Sequence, residues 1–460
     1  MSRSLVNDVN MNKRIVAASL ALGIFTLSGS TAADWARFRG PNGSGIDAGE
    51  RAVPPEWSES DIKWTVALPG PGHSCPIVVG DHIFLTCWTG YGLDQENAGD
   101  QKDLRLHLVS IDRSNGNTVW TKTIEPVLPE EKYGGMFAQH GYASHTPASD
   151  GEKIFAFFGK SGVVAFDMEG NELWRQSVGL KLDERHWGSA ASPILYKDLV
   201  IVNAAIEGNV LVALDKATGK EVWKAEAEGL TGIWGTPVLA EIDAERTDLV
   251  ISVPNEIWGL NADTGKLRWY CDGVPSNGIK ASVILDSGVA YALGDREGGA
   301  LAVKVGGKGD ANENILWTEN HRGGTGSPVC HDGLIYWING GIANCIDAKT
   351  GKEIYRERLN AADSGPLGGG GESGRRRGGI GGGSDYASPV ISGNHLFQVT
   401  RAGEVIVLEL GKEFKQPERM KLVGEEEADF SATPAISNGE MFIRSTKRLY
   451  CIGSNDSSAP

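Results

Sequence analysis

Along most of this chain, apolar and polar positions alternate in short runs, and turn-forming residues separate the runs. Pro193-Ile-Leu-Tyr196, Leu199-Val-Ile-Val-Asn203 and Val210-Leu-Val-Ala-Leu214 follow one another, broken only by Lys197-Asp198 and by a turn at Glu207-Gly208-Asn209. Apolar runs of four to six residues, alternating and bounded by turn signals, predict strands rather than helices. Asp215-Lys-Ala-Thr-Gly219-Lys-Glu-Val-Trp223 then closes the unit. The Asp can accept bonds from the amides ahead of it, and Gly219 can take the left-handed conformation that a tight hairpin needs.

This four-strand unit recurs. A Ser/Thr-Pro type step opens each copy: Cys75-Pro76, Thr146-Pro147, Ser192-Pro193, Thr236-Pro237, Ser282-Val283, Ser327-Pro328, Ser388-Pro389 and Thr433-Pro434. Five of the seven gaps between copies are 44–46 residues, and the other two, 71 and 61, fit the same unit carrying an insertion. A strand-rich repeat of this length is the signature of a propeller blade. The closing Asp/Gly/Trp pattern also repeats, as Asp112/Gly116/Trp120, Asp167/Gly170/Trp174, Asn261/Gly265/Trp269 and Asp347/Gly351/Tyr355. Trp317 ends a copy whose turn has grown into residues 306–310. A large ring at this place can wedge between neighbouring blades, so these tryptophans are read as scaffold.

The last copy lacks an outer strand, while Asp61-Ile-Lys-Trp64-Thr-Val-Ala-Leu68 is an outer strand with no blade before it. Joining the two leaves no open edge. The expectation is an all-β, eight-bladed β-propeller of four-stranded antiparallel blades, closed by an N-terminal outer strand. The count falls to seven if the divergent copy at 403–424 does not form.

Composition adds compartment and excludes one class of partner. A formal net charge of −15 argues against a broad nucleic-acid footprint. Arg3, Lys13 and Arg14 precede an apolar run, Ile15 to Leu27, and then the small residues Ser28 to Ala33. That order is a secretory signal peptide over 1–33, its apolar run too short to span a bilayer, with Met11 as an alternative start. The expected product is an exported monomer, periplasmic or extracellular. It has a lead-in at 34–60, the propeller at 61–453 with a Gly/Arg-rich insertion at 361–384, and a tail at 454–460. Six cysteines are read as buried free thiols, with a Cys75–Cys87 disulfide as the alternative.

The ending Asp-x-x-Thr-Gly-x-x-x-Trp of Asp215–Trp223 resembles the tryptophan-docking repeat of the pyrroloquinoline quinone (PQQ) propeller superfamily, and Asn261–Trp269 follows it. That superfamily includes eight-bladed quinoprotein alcohol dehydrogenases and noncatalytic BamB-type assembly proteins. Asp34-Trp35-Ala-Arg-Phe38-Arg39-Gly40-Pro41-Asn-Gly43 is similar to the lead-in of its secreted bacterial members. For a dehydrogenase the resemblance implies a quinone held between a tryptophan and a disulfide of adjacent cysteines, over calcium. It also implies a catalytic acid and a quinone-binding arginine, for which Asp295 and Arg296 are the match here. No adjacent cysteines and no Cys-x-x-Cys-His haem site occur. Glu207, Asn255 and Glu256 could ligate a hard cation or simply serve turns. The favoured expectation is no cofactor, with PQQ and calcium as the alternative.

Strand parity then gives a direction. In a four-stranded blade the A–B and C–D turns emerge on one face, and the B–C loops and D–A links on the other. The insertions at 88–103, 125–144 and 361–384 all fall on the second face. That face also receives His73, His145, Trp187, Trp234, Lys280, Tyr386 and Phe430, which lead into strands A. Trp88, Tyr91, Tyr133, Phe137, His140 and Arg401 complete the candidate ligand-binding set. No metal site is expected, since His140 and His145 alone have weakly suggestive spacing. The leading function is a noncatalytic scaffold for a protein or cell-envelope ligand; the alternative is a PQQ-dependent oxidoreductase.

Overall fold

A computed structural model describes residues 34–295, 297–359, 385–416, 419–422 and 428–454. The leader, Arg296, the Gly/Arg-rich insertion and the tail beyond 454 lie outside the described residues. Eight antiparallel sheets follow one another along the chain, and each is one blade. In blade 3, Ile194–Tyr196 (strand A), Leu199–Ala204 (B), Val210–Asp215 (C) and Glu221–Glu226 (D) pair in order. Strand B is buried along its whole length, while strand D alternates toward solvent, which is why the sequence reads apolar inside and amphipathic outside.

Eight blades form, because the divergent copy supplies Val390–Ser392, His395–Val399, Glu404–Glu409 and Arg419–Lys421 as blade 7. Blade 8 takes Ala435–Ser437, Glu440–Arg444 and Arg448–Ile452 from the end of the chain and Ile62–Ala67 from its beginning. Glu440 accepts from Lys63 and from Arg113 of blade 1, both at 2.9 Å, so one carboxylate ties the two chain ends to the next blade.

The Ser/Thr step has a physical cause that the spacing alone does not reveal. Each of its hydroxyls accepts the backbone N–H of the equivalent residue one blade earlier. Cys75 donates to Thr146 (2.9 Å), Thr146 to Ser192 (3.0 Å), Ser192 to Thr236 (3.0 Å) and Thr236 to Ser282 (2.9 Å). Ser282 donates to Ser327 (2.8 Å), Ser327 to Ser388 (2.9 Å) and Ser388 to Thr433 (2.9 Å). Thr433 closes the circle on the Cys75 sulfur at 3.2 Å. The result is a ring of eight hydrogen bonds around the channel. The proline that follows opens the innermost strand of its blade, an edge where a residue without an N–H leaves no unpaired donor.

A second set of contacts locks the blades farther out. The indole N–H of Trp64, Trp120, Trp174, Trp223 and Trp317 donates to a backbone carbonyl of the next blade, at 2.9–3.1 Å. Gly219 shows why its turn demands glycine: its φ is +71° and a Cβ would come within 2.5 Å of the Trp174 ring. Trp269 departs from the pattern. Its N–H goes to the fully buried Asp248 at 2.9 Å, itself paired to Arg246 and Arg268. The expanded turn of blade 5 explains this, since its Gly309–Asp310 adds in parallel to the outer strand Leu267–Asp272 of blade 4.

The lead-in crosses the channel at the A–B turn end. Trp35 pairs with Val78 of blade 1, and the Ala36 carbonyl accepts from Ser149 of blade 2 at 2.9 Å. Asn42 bonds Leu239 of blade 4, buried Arg39 reaches the Pro328 carbonyl of blade 6 at 2.6 Å, and Asp47 bonds Ile391 of blade 7. The segment therefore staples blades from opposite sides of the ring and closes that end. All six cysteines are free and buried. Cys87 contacts Arg444 at 3.4 Å and Cys75 belongs to the hydroxyl ring, so the alternative Cys75–Cys87 disulfide is corrected. Among the described residues, no helix is long and apolar enough to cross a membrane.

Candidate functional site

With one end of the channel stapled, a cavity of about 290 Å³ remains at the other, on the face of the B–C loops and D–A links. The eight residues of the hydrogen-bonded ring line it, together with Phe38 from the crossing segment. One wall is aromatic and cationic. The indoles of Trp187 and Trp234 lie 5.2 Å apart at 33°. The Arg185 guanidinium sits 5.9 Å and 5.5 Å from their centroids, and a Cβ on Gly232 or Gly278 would collide with it. Lys280 Nζ lies 5.4 Å from the Trp187 ring and forms an ion pair with Asp295.

Four blades away, Arg401 donates through Nε to Asp429 at 2.9 Å and stacks 5.2 Å over Tyr386. Arg401 Nη1 and the Tyr386 hydroxyl both donate to Gln139 Oε1, at 3.0 Å and 3.1 Å. Gln139 belongs to the insertion between blades 1 and 2, which thus reaches blade 7. On its other side the same insertion meets blade 3 through Glu131 and His186, 3.1 Å apart. Met136, Gln139 and His140 of this strap line the cavity. Burial pulls His73 down to about 3 and His140 to about 4, so both imidazoles are neutral at physiological pH.

Beside the funnel lies a smaller polar cavity of about 40 Å³. The Ser189 hydroxyl donates to Glu207 Oε1 at 2.5 Å and stands 2.7 Å from His145 Nε2. With the serine proton on the Glu207 side, His145 must donate from Nε2, which leaves its buried Nδ1 without a partner. Burial pushes the Glu207 carboxyl up to about 7 and does the same to Glu130, while it lowers His145 to about 3. Glu207 stands in the short helix Ala205–Gly208, committed to Ser189. Glu256 accepts from the Trp258 indole at 2.5 Å, and Asn255 takes the positive φ of a turn.

A family model described as outer membrane protein assembly factor BamB matches residues 56–178 and 105–357. The chain belongs to this family of PQQ-like propellers. No curated protein sequence matches it. Among solved structures, BamB from Moraxella catarrhalis is 14% identical, with 85% of this chain and 99% of that one covered at a TM-score of 0.57. A europium-containing methanol dehydrogenase is 13% identical, with coverages of 92% and 98% and a TM-score of 0.65. The quinohemoprotein alcohol dehydrogenase from Comamonas testosteroni is 12% identical, with coverages of 93% and 82% and a TM-score of 0.61. Identities this low establish a shared fold and nothing about activity.

In this PQQ-like propeller the candidate residues divide into two groups. His73, His140, Trp187, Trp234, Lys280, Asp295, Tyr386 and Arg401 converge on the funnel. Trp88, Tyr91, Tyr133 and Phe137 do not line it; with Tyr142 they pack into a small core beneath the strap, Phe137 and Tyr142 only 4.7 Å apart. His145 lies in the side cavity, and Phe430 is buried against Tyr450. Sequence reasoning missed Phe38, Arg185 and Gln139, whose only signal was position within a lead-in or a link. The donor set also departs from what a metal-bound quinone would require. Asp295 is neutralised by Lys280, and Cys75 lies in the ring rather than in a vicinal disulfide. Among the described residues no group of three or more His, Cys, Asp or Glu side chains is arranged to hold a metal ion.

Proposed function

We propose that this chain is an exported, noncatalytic propeller that receives a protein or cell-envelope ligand at the loop-rich mouth of its funnel. The observation that carries this reading is the pairing of Lys280 with Asp295, the acid on the funnel wall best placed to act as a base. That contact engages the carboxylate within the wall, so it is hydrogen-bonded to the protein rather than presented to a substrate. The remaining wall groups bind and orient: two indoles, a tyrosine, and guanidinium groups fixed on aromatic faces. Export rests on the basic, apolar and small-residue order of residues 1–33.

The oxidoreductase remains the second reading, favoured by the fold shared with a methanol dehydrogenase and by the presence of Asp295 in the funnel. Reconstitution of the purified mature protein with PQQ and calcium separates the two. The scaffold reading expects no quinone absorption to co-elute with protein and no dye reduction with alcohols or sugars. Both signals together overturn it. Photo-cross-linking from the exposed Arg185 position in cell-envelope extract then asks which partner sits at the mouth.

A further inference from the structure

The funnel has a surplus of hydrogen-bond donors. Ser192, Thr236, Ser282, Ser327 and Ser388 each accept a backbone N–H through the hydroxyl oxygen. Among the described residues, none of these five hydroxyls donates its proton to a protein acceptor, and none of the residues is more than 8% exposed. Thr146 and Thr433 differ, because they flank the Cys75 thiol. Buried polar hydrogens are rarely left without a partner, so five donors lining one cavity call for acceptors from outside the fold.

The carboxylate and side-chain amide acceptors at the walls are already committed. Asp295 is held by Lys280, and Asp429 by Arg401 and by the Ser431 hydroxyl. Gln139 Oε1 takes bonds from Tyr386 and Arg401. A sugar would bring a donor with every acceptor and leave its own hydroxyl protons unmatched. A carboxylate brings acceptors only. Lys280, two residues before Ser282, places an ammonium on the same wall, and its bond to Asp295 leaves further N–H donors on it. The indoles of Trp187 and Trp234 offer a flat apolar body beside these donors.

We propose that the funnel takes a carboxylate borne on a flat apolar group, its oxygens toward Lys280 and the hydroxyl ring and its apolar face toward Trp187 and Trp234. The proposal rests on the funnel being the ligand site, and it adds the ligand's chemistry. Two sources share that chemistry: a small aromatic acid, and the C-terminus of a polypeptide ending in an aromatic residue.

The test uses the mature chain and indole fluorescence checked by calorimetry, with four probes. They are Gly-Gly-Phe with a free carboxylate, the same peptide as its C-terminal amide, 3-phenylpropanoate, and cellobiose. The free-acid peptide is expected to bind at least about tenfold more tightly than the amide, the scale of one charge-assisted contact. Lys280→Ala should abolish that preference and Lys280→Arg restore it, with circular dichroism confirming the fold of each. Phenylpropanoate binding as tightly as the peptide assigns the small acid; weaker binding assigns the chain end. Equal affinity for acid and amide, tighter binding of cellobiose, or no binding of either acid overturns the carboxylate. None of those results touches the scaffold reading, which stands or falls on quinone binding and dye reduction.

Discussion

The two ends of the channel are built on opposite principles. At the A–B turn end, residues 34–53 cross the ring and bond to blades 1, 2, 4, 6 and 7, with Trp35, Arg39 and Val53 buried. At the other end, half-buried indoles, neutral histidines and a strap from one insertion surround a cavity in which five ring hydroxyls still have protons to give. One end consumes hydrogen-bonding capacity and the other retains it. Stability can therefore be concentrated at the stapled end, leaving the mouth free to vary.

Four experiments break or sharpen this contrast. Trp35→Ala at the stapled end should cost about 3–5 kcal/mol in urea unfolding, the range for emptying a large buried aromatic site. A loss below about 1 kcal/mol would mean that the crossing segment is not part of the cooperative unit. Beside the open end, the Glu207 carboxyl is raised to about 7. Its proton is kept by the folded chain and released by the unfolded one, so its contribution is complete below about 4.5 and is lost as pH rises through 7. Glu207→Gln should remove that alkaline loss, on the order of 1–3 kcal/mol, from stability measured between pH 5 and pH 8. His73, His140 and His145 work the other way, since each is lowered to about 3 or 4 and destabilises the fold as pH falls below about 6.5.

In the ring between the ends, Ser327→Ala removes one acceptor and should cost about 1 kcal/mol, while Ser327→Thr keeps the hydroxyl and most of the stability. At the mouth, Trp187→Ala should change the unfolding midpoint least, by less than about 1 kcal/mol, because its ring is only half-buried. A large loss there would mean that the indole pair is core rather than a surface held for a ligand.

Much of the fold was legible because each blade repeats the same local chemistry. The steps from Cys75-Pro76 to Thr433-Pro434, the Asp/Gly/Trp endings and the orphan strand around Trp64 all named elements that exist. The candidate site was legible only as a face. Strand parity grouped His73, Trp187 and Tyr386, which line one cavity, but it could not separate them from Phe137 or Phe430, which turn into packing. Nothing local distinguishes an aromatic residue that lines a funnel from one that fills the core beside it.

Residue order alone determined the four-strand grammar and the outer latch, and narrowed the count to eight blades or seven, because strand period and turn chemistry are local properties. Closure decided the rest. Only when eight copies meet do their hydroxyls find the preceding blade's N–H groups, Phe38 reach the channel, Gln139 meet Arg401, and Lys280 neutralise Asp295. Those pairings join residues far apart in sequence, and their energies exist only after the ring has brought them together.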